Sequence, residues 1–146
     1  RLRHQGYLKG LENENIPVNN DFIINIKEDD YKEYENVLTP IFAEKNIDAV
    51  IATDESSAIA AMKVAIRKGH KVPDNFSVIA FSNGILARHS SPKMTTVSQH
   101  GEQMGVAAAE RLINKLENKS NEEENKTIVI KTDIVERKST KPVFYT

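Results

Sequence analysis

The sequence predicts an α/β fold with a mostly parallel sheet flanked by helices, because short apolar runs alternate with helical patterns. Residues 49–52 form a β-branched apolar run that is too brief for a helix and typical of a strand buried on both faces. Residues 55–69 then repeat apolar side chains at helical spacing, and residues 76–81 form a second apolar strand. Such a unit is right-handed, and its ligand lies outside the carboxyl ends of the strands.

The composition fits one domain without metal or membrane chemistry. The 146 residues carry 20 basic and 21 acidic side chains, so no basic surplus indicates that they bind nucleic acid themselves. The absence of cysteine excludes disulfides and thiolate ligands, and the four histidines lack metal-ligand spacing, so we expect no metal or cofactor. No apolar run is long enough to span a membrane. The chain starts at Arg1 inside a helical pattern, and we expect it to be a piece of a longer protein.

Two elements are predicted before the second helix. Residues 1–13 place their large apolar side chains near one helical face, although two glycines interrupt the pattern. Residues 22–26, with the sequence FIINI, predict a buried strand. Asn25 lies at the end of that predicted strand, which makes it a candidate binding residue by position alone.

The next helical pattern leaves two arrangements open. Asp29 or Asp30 begins a helix whose apolar residues recur at helical spacing. Pro40 either kinks this helix or begins a second one that ends near residue 45, because proline lacks the N–H that a helix interior requires.

Polar residues follow both strands of the central unit. Thr53 and Asp54 come directly after the first strand, and either can cap the next helix by accepting a hydrogen bond from a free N–H. Gly69 can supply the left-handed residue that ends this helix. Ser82 and Asn83 follow the second strand, so we expect all four polar residues to lie at one edge of the sheet.

The remaining residues predict one further long helix among shorter elements. In order, the pattern predicts a loop at 84–94, a strand at 95–99, a helix at 100–117, a polar loop at 118–126, and strands at 127–130 and 134–136 that pair with each other. The long helix keeps one apolar stripe, formed by Met104, Ala108, Leu112 and Leu116. The earlier helices suffice to cover the sheet, so we expect this stripe to be exposed to solvent, disordered or covered by another chain.

Several motifs in a fixed order resemble the effector-binding domain of the LacI/GalR family of transcriptional regulators. They are Arg3, Gly6 and Tyr7, then Thr53-Asp54, Gly69, Val72-Pro73-Asp74, Ala80-Phe81-Ser82, the run from Pro92 to Gln99, and Met104-Gly105. The resemblance spans most of the chain, from residue 1 to about residue 138. It implies a periplasmic-binding-protein-like fold in which a small effector binds between two α/β subdomains.

The resemblance also implies how the chain is divided. Residues 1–99 would form the second subdomain, and residues 100–118 a helix that crosses to a first subdomain mostly absent from this chain. Residues 127–138 would return to the second subdomain, and residues 139–146 would form a tail. The whole protein is then expected to be a cytoplasmic homodimer that binds operator DNA through a helix-turn-helix outside this chain.

Family roles transfer to individual residues of this sequence. Arg3 matches the family's effector arginine, whose planar fork suits vicinal hydroxyls or a carboxylate. Thr53 stands where the family has asparagine, and Ser82 stands where it has a sugar-binding aspartate, so Ser82 keeps donor and acceptor capacity without the charge. Asn83 either binds the effector or shapes the turn, and Gln99 bonds the effector or the hinge backbone. The candidate residues are Arg3, Thr53, Asp54, Ser82, Asn83, Gln99 and Asn25.

The functional hypothesis is a non-catalytic sensor of a small sugar in a transcriptional repressor. The sequence Phe81-Ser82-Asn83 is similar to a variant of maltose-operon repressors from Gram-positive bacteria, which favours a maltose-like effector. An extracellular solute-binding protein of an uptake transporter is the alternative, and the absence of an acid–base or nucleophile constellation disfavours an enzyme. Ile59, Ala60 and Val64 give the helix at 55–68 a second apolar face, which predicts a contact with a symmetry-related helix in a dimer.

Overall fold

The computed structural model describes residues 2–26, 31–44, 46–117 and 127–142. These residues form an α/β unit in which helices and strands alternate through most of the chain. The elements are α1 (Leu2–Asn13), a short 3-10 helix (Asn20–Phe22), α2 (Tyr31–Glu44), β1 (Ala49–Ala52), α3 (Glu55–Arg67), β2 (Ser77–Phe81), α4 (Ile85–His89), β3 (Thr95–Ser98), α5 (Gly101–Leu116) and β4 (Asp133–Val135).

The four strands form one sheet in the order β1-β2-β3-β4. The first three are parallel, and β4 pairs with β3 in the antiparallel direction. Ala52 pairs with Ala80, so β1 and β2 end at the same level of the sheet. Asp133 opens β4 opposite Ser98, the last residue of β3, and therefore lies at the same edge. This arrangement confirms the predicted α/β class with a mostly parallel sheet.

The core lies between one face of the sheet and the pair of helices α2 and α3. Val78 and Ala80 of β2 are fully buried, and they belong to the same apolar cluster as Ala58 and Ala65 of α3. The small alanines let the helix backbone approach the sheet closely. Phe76, which precedes β2, is also fully buried and closes one end of this core.

The second apolar face of α3 is largely covered within this chain. Ala60 and Val64 are both buried, and Val64 lies in one cluster with Leu38 and Phe42 of α2. Ile59 is partly buried against the same cluster, and α2 packs alongside α3. A contact between symmetry-related α3 helices stays a prediction.

The α2 helix continues through Pro40 as a single helix, so no second helix begins at this proline. The predicted helix start at residues 29 and 30 lies outside the described residues. Asp54 caps α3, and Gly69 adopts a φ of 89° just after its end, as the sequence predicts.

The predicted strand at residues 22–26 is wrong. Asn19 accepts a hydrogen bond from the Asp21 N–H and begins a 3-10 helix that ends at Phe22, and residues 23–26 form no regular element. No strand of the sheet receives this apolar run, so its backbone lacks a ladder of hydrogen bonds. Asn25 consequently follows no strand and is exposed.

Two predictions near the carboxyl terminus are also corrected. Residues 127–130 form no strand, and β4 starts one residue earlier than predicted and pairs with β3. The predicted loop at 118–126 and residues 143–146 of the predicted tail lie outside the described residues.

The beginning of the predicted tail is part of the core. Ser139 is fully buried, and its hydroxyl donates to the Val78 carbonyl at 2.5 Å. The same hydroxyl accepts from the Thr95 N–H at 2.8 Å, while the Val78 N–H donates to the Ser139 carbonyl at 2.8 Å. Ser139 thereby connects Val78 of β2 to Thr95, the first residue of β3.

The apolar stripe of α5 is exposed, as the sequence predicts. Met104 is 53% exposed, Leu112 61% and Leu116 73%, and the helix buries no residue at all.

Among the described helices, none is long and apolar enough to cross a membrane. In contrast to the predicted loop at 84–94, residues 85–89 form the short helix α4.

Candidate functional site

The carboxyl ends of three parallel strands bring most of the candidate residues to one edge of the sheet. The loop after β1 carries Thr53 and Asp54, and the loop after β2 carries Ser82 and Asn83. Gln99 follows β3 at the same edge and is partly buried. We call this region the strand-end edge. Asn25 lies in the irregular segment before α2, so no strand brings it there.

Asp54 is a helix cap that stays ionised. Its carboxylate accepts the Ser57 N–H at 2.8 Å and the Thr53 hydroxyl at 3.2 Å, so Asp54 and not Thr53 caps α3. Burial raises the pKa of the Asp54 carboxyl, but hydrogen bonds from Ser57 and Thr53 outweigh that effect. The pKa of Asp54 therefore lies below its ordinary value of 3.8. At neutral pH this carboxylate is available to hydroxyl donors at the edge.

Arg3 reaches the strand-end edge from α1. Its guanidinium donates to the Thr53 carbonyl and lies 4.9 Å from the centroid of the Phe81 ring. A guanidinium over an aromatic face is attracted by the ring quadrupole. Arg3 thus connects the ends of β1 and β2, and it keeps further N–H donors for a ligand.

Ser82 and Asn83 have different surroundings although they are adjacent. Ser82 has a φ of 82°, which is rare for a residue with a side chain, and its N–H donates to the Val97 carbonyl at 3.1 Å. The Asn83 Oδ1 accepts from Arg137 at 2.6 Å and from the Thr96 hydroxyl at 3.4 Å. The carbonyl oxygen of Asn83 is therefore engaged inside the protein, which supports the turn-shaping alternative for this residue.

Two charged residues at this edge were not predicted from the sequence. Glu55 is only 8% exposed and accepts a hydrogen bond from the Gly84 N–H. Arg137 also donates to the Met94 carbonyl at 2.8 Å, besides its bond to Asn83. Neither residue has a distinctive local pattern, because Glu55 reads as an ordinary acid in the first turn of a helix. No sequence signal available from one chain would have found them.

A histidine–aspartate pair joins the start of α5 to β4. His100 precedes α5 in a left-handed conformation, and its Nε2 pairs with Asp133 Oδ1. Gln99 lies between this pair and the end of β3, where α5 departs from the sheet. Its position supports either of the predicted roles, a contact with an effector or with the backbone of a hinge.

The strand-end edge offers hydrogen-bonding groups for a neutral polar ligand. Arg3 supplies donors, Asp54 an acceptor, and the hydroxyls of Thr53 and Ser82 supply both. Within the described ranges, no group of three His, Cys, Asp or Glu side chains could hold a metal ion. Such a mixture suits sugar hydroxyls, which donate and accept at the same atom.

The chain is similar in sequence to periplasmic-binding-protein-like domains and to transcriptional repressors. The family model described as a periplasmic binding protein-like domain matches residues 1–140. The HTH-type transcriptional repressor PurR of Yersinia pestis bv. Antiqua is 35% identical over 140 residues, which cover 94% of this chain and 40% of that protein. The chain thus spans about 40% of the length of the curated relatives it matches.

Solved structures of regulators share the fold. The transcriptional regulator CelR in complex with cellobiose has a TM-score of 0.81 and 25% identity, covering 94% of this chain and 41% of that one. CcpA of Lactococcus lactis has a TM-score of 0.78 and 27% identity over 95% of this chain and 50% of its own. A LacI-type regulator from Bifidobacterium animalis subsp. lactis, with a TM-score of 0.86, covers 97% of this chain and 50% of its own. At 23% identity it shows the fold alone.

Proposed function

The chain belongs to the periplasmic-binding-protein-like effector domains of the LacI/GalR family, and on that premise we propose that it senses a small sugar for a transcriptional repressor. The effector is a neutral, maltose-like sugar that binds at the strand-end edge without being chemically changed. Relatives named as helix-turn-helix repressors favour this function over a solute-binding protein of a transporter.

The main observation behind this proposal is that separate helices and loops bring hydrogen-bond donors and acceptors to the strand-end edge. Arg3 of α1, Asp54 before α3 and Ser82 after β2 meet there, and the structure ties Arg3 to the ends of both strands. A guanidinium matches two neighbouring hydroxyls, while an ionised carboxylate accepts from a third. The cellobiose bound by CelR, which shares the fold, supports a disaccharide as the ligand class.

The subdomain division supplies the mechanism of the proposed response. In this proposal, residues 1–99 and 127–138 form the second subdomain and one wall of the effector cleft, and α5 crosses to the first subdomain. The exposed stripe of Met104, Leu112 and Leu116 supports this division, because it needs a partner that these residues do not provide. A sugar that contacts both walls stabilises one relative arrangement of the subdomains.

The readout of that arrangement lies in other parts of the proposed protein. We place the repressor in the cytoplasm as a homodimer that binds operator DNA through a helix-turn-helix outside this chain. The coupling free energy between sugar and operator cannot exceed the difference in sugar binding free energy between the two arrangements, and it acts in both directions. A sugar with equal affinity for both would leave operator binding unchanged.

Calorimetric titration of the whole protein with maltose, cellobiose and other neutral disaccharides tests the proposed ligand class. We expect at least one of these sugars to bind saturably, and we expect the Arg3→Ala variant to bind that sugar more weakly. Removal of a charged hydrogen-bond donor costs about 1.5–3 kcal/mol, which is roughly ten- to more than a hundredfold in affinity. Lys9→Ala, on the same helix and exposed, is the matched control.

Two results would reject the proposal. Binding restricted to phosphorylated sugars or purines would contradict the neutral ligand, and an unchanged affinity in folded Arg3→Ala would contradict the placement of the site. Operator binding in the presence and absence of the sugar then decides whether the sensor regulates DNA affinity.

A further inference from the structure

The loop formed by residues 82–84 holds a conformation that its own sequence does not favour. Ser82 has a φ of 82°, in the left-handed region that residues with a Cβ avoid. A residue persists there only where its surroundings impose the conformation, and such places cluster at ligand-binding sites. The contacts that neighbouring residues make with this loop therefore determine its conformation.

Glu55 holds the loop from the side of α3. Its buried carboxylate accepts the Gly84 N–H, and a Cβ placed on Gly84 would come within 2.9 Å of Glu55 Oε2 and 3.0 Å of Oε1. Gly84 itself has a φ of −84°, which any residue adopts. A side chain at this position would therefore displace the Glu55 carboxylate from the Gly84 N–H, although the backbone conformation itself does not require glycine.

Arg137 holds the loop from the side of β3 and the carboxyl-terminal segment. One nitrogen of its guanidinium donates to Asn83 Oδ1 at 2.6 Å, and the other donates to the Met94 carbonyl at 2.8 Å and to the Thr96 hydroxyl at 3.3 Å. A planar fork is required to reach these acceptors at once, and a lysine ammonium lacks that geometry. Asn83 is thereby fixed relative to β3.

We propose that Glu55 and Arg137 are positioning residues that hold the Ser82 hydroxyl in place for the effector. Three consecutive residues are each held by a different partner, because Ser82 bonds to β3, Asn83 to Arg137 and Gly84 to Glu55. Because its own N–H and the two residues that follow it are held in this way, Ser82 keeps its unfavourable φ at the strand-end edge. The identity of the ligand in this inference rests on the proposed function. The positioning of the loop rests only on the contacts described above.

The first experiment follows the Gly84 amide in the whole protein without any ligand, by NMR and hydrogen exchange. In Glu55→Ala we expect the Gly84 amide proton to shift upfield and to exchange at least about tenfold faster, because one charge-assisted bond is lost. Glu55→Gln keeps an acceptor oxygen and should restore most of the protection. Glu102→Ala, which removes an exposed acid from the first turn of α5, is the control and should change neither quantity.

The second experiment is a double-mutant cycle read out by maltose affinity. Glu55→Ala and Arg137→Lys should each weaken maltose binding about tenfold or more, while the exposed control Lys138→Ala should not. In a Ser82→Ala background the Glu55 substitution should cause no further loss, because the hydroxyl that it positions is gone. A merely structural role of Glu55 would give additive losses.

The outcomes separate this inference from the proposed function. A Gly84 amide unchanged in Glu55→Ala overturns the positioning, and so do additive losses or an unchanged maltose affinity in a protein that binds maltose. If Glu55→Ala fails to fold, the maltose affinity of Arg137→Lys, measured with and without Ser82→Ala, decides: additive losses or an unchanged affinity overturn the positioning. If the wild-type protein binds no sugar, the proposed function fails, while the amide measurements still confirm or refute the positioning of the loop.

Discussion

The helices α3 and α5 have similar lengths and similar amphipathic patterns, yet their surroundings are opposite. Over 13 residues α3 buries seven side chains, including Ala58, Met62 and Ala65. Over 16 residues α5 buries none, and its large apolar side chains face solvent in this chain. The comparison shows that an amphipathic pattern determines which face of a helix needs a partner, but not where that partner lies.

The two helices also begin differently. Asp54 caps α3 by accepting the Ser57 N–H, whereas His100 precedes α5 in a left-handed conformation with no side-chain cap. The pairing of His100 with Asp133 instead fixes the start of α5 to β4. Within this chain, α3 is held along its length and α5 mainly at its beginning. The following predictions test that difference, from the largest expected effect to the smallest.

A charge placed in each helix should separate them most clearly. Val64→Asp puts an unpaired carboxylate in a fully packed site of α3, and we expect a loss of more than about 4 kcal/mol in the free energy of unfolding. Leu112→Asp on α5 should change it by less than about 0.5 kcal/mol in residues 1–146 alone. Urea denaturation followed by circular dichroism measures both, and equal losses would show that the α5 stripe is buried.

The proposed first subdomain should protect α5. Burial of two large apolar side chains is worth about 3 kcal/mol or more, so amides of residues 104–116 should exchange at least about a hundredfold slower in the whole protein than in residues 1–146. Amides of α3 serve as the internal control, because their partners lie in this chain. Strong protection of the α5 amides in monomeric residues 1–146 would contradict the crossing-helix proposal.

Loss of the side-chain cap should affect only α3. Asp54→Ala leaves the Ser57 N–H without its acceptor, and we expect a loss of about 1 kcal/mol in the free energy of unfolding. Asp54→Asn keeps an acceptor oxygen and should cost less. Thermal denaturation of both variants against the wild type is the measurement, and the absence of any change in Asp54→Ala would contradict the capping geometry.

The pH dependence of that cap should be the smallest effect. The folded-state pKa of Asp54 lies below its ordinary value of 3.8, so its stabilising contribution is present above about pH 4. It is lost as the pH falls through the folded-state pKa, because the protonated carboxyl accepts more weakly. Free energies of unfolding at pH 7 and pH 3 should show the wild type losing stability relative to Asp54→Asn. A difference independent of pH would refute the lowered pKa.

Much of the fold could be predicted because its patterns are local. The runs at β1, β2 and β3 and the helical spacing of α3 and α5 each lie within a few neighbouring residues, and a local pattern is sufficient to predict such elements. The edge that joins Thr53, Asp54, Ser82 and Asn83 also follows, because parallel strands end together. The membership of the family and the position of Arg3 came from motifs in order along the chain.

The sequence by itself determined which segments form helices and strands wherever periodicity is strong, and which polar residues end the central strands. Only the tertiary structure decided which apolar runs join the sheet, and it left residues 22–26 and 127–130 outside. It also decided that Asn83 turns toward Arg137, 54 residues away, and that Glu55 meets Gly84, 29 residues away. Such contacts produce no periodic pattern in the sequence, because the two partners are distant along the chain. A strand or a buried charge is nevertheless stable only where such a partner completes its hydrogen bonds.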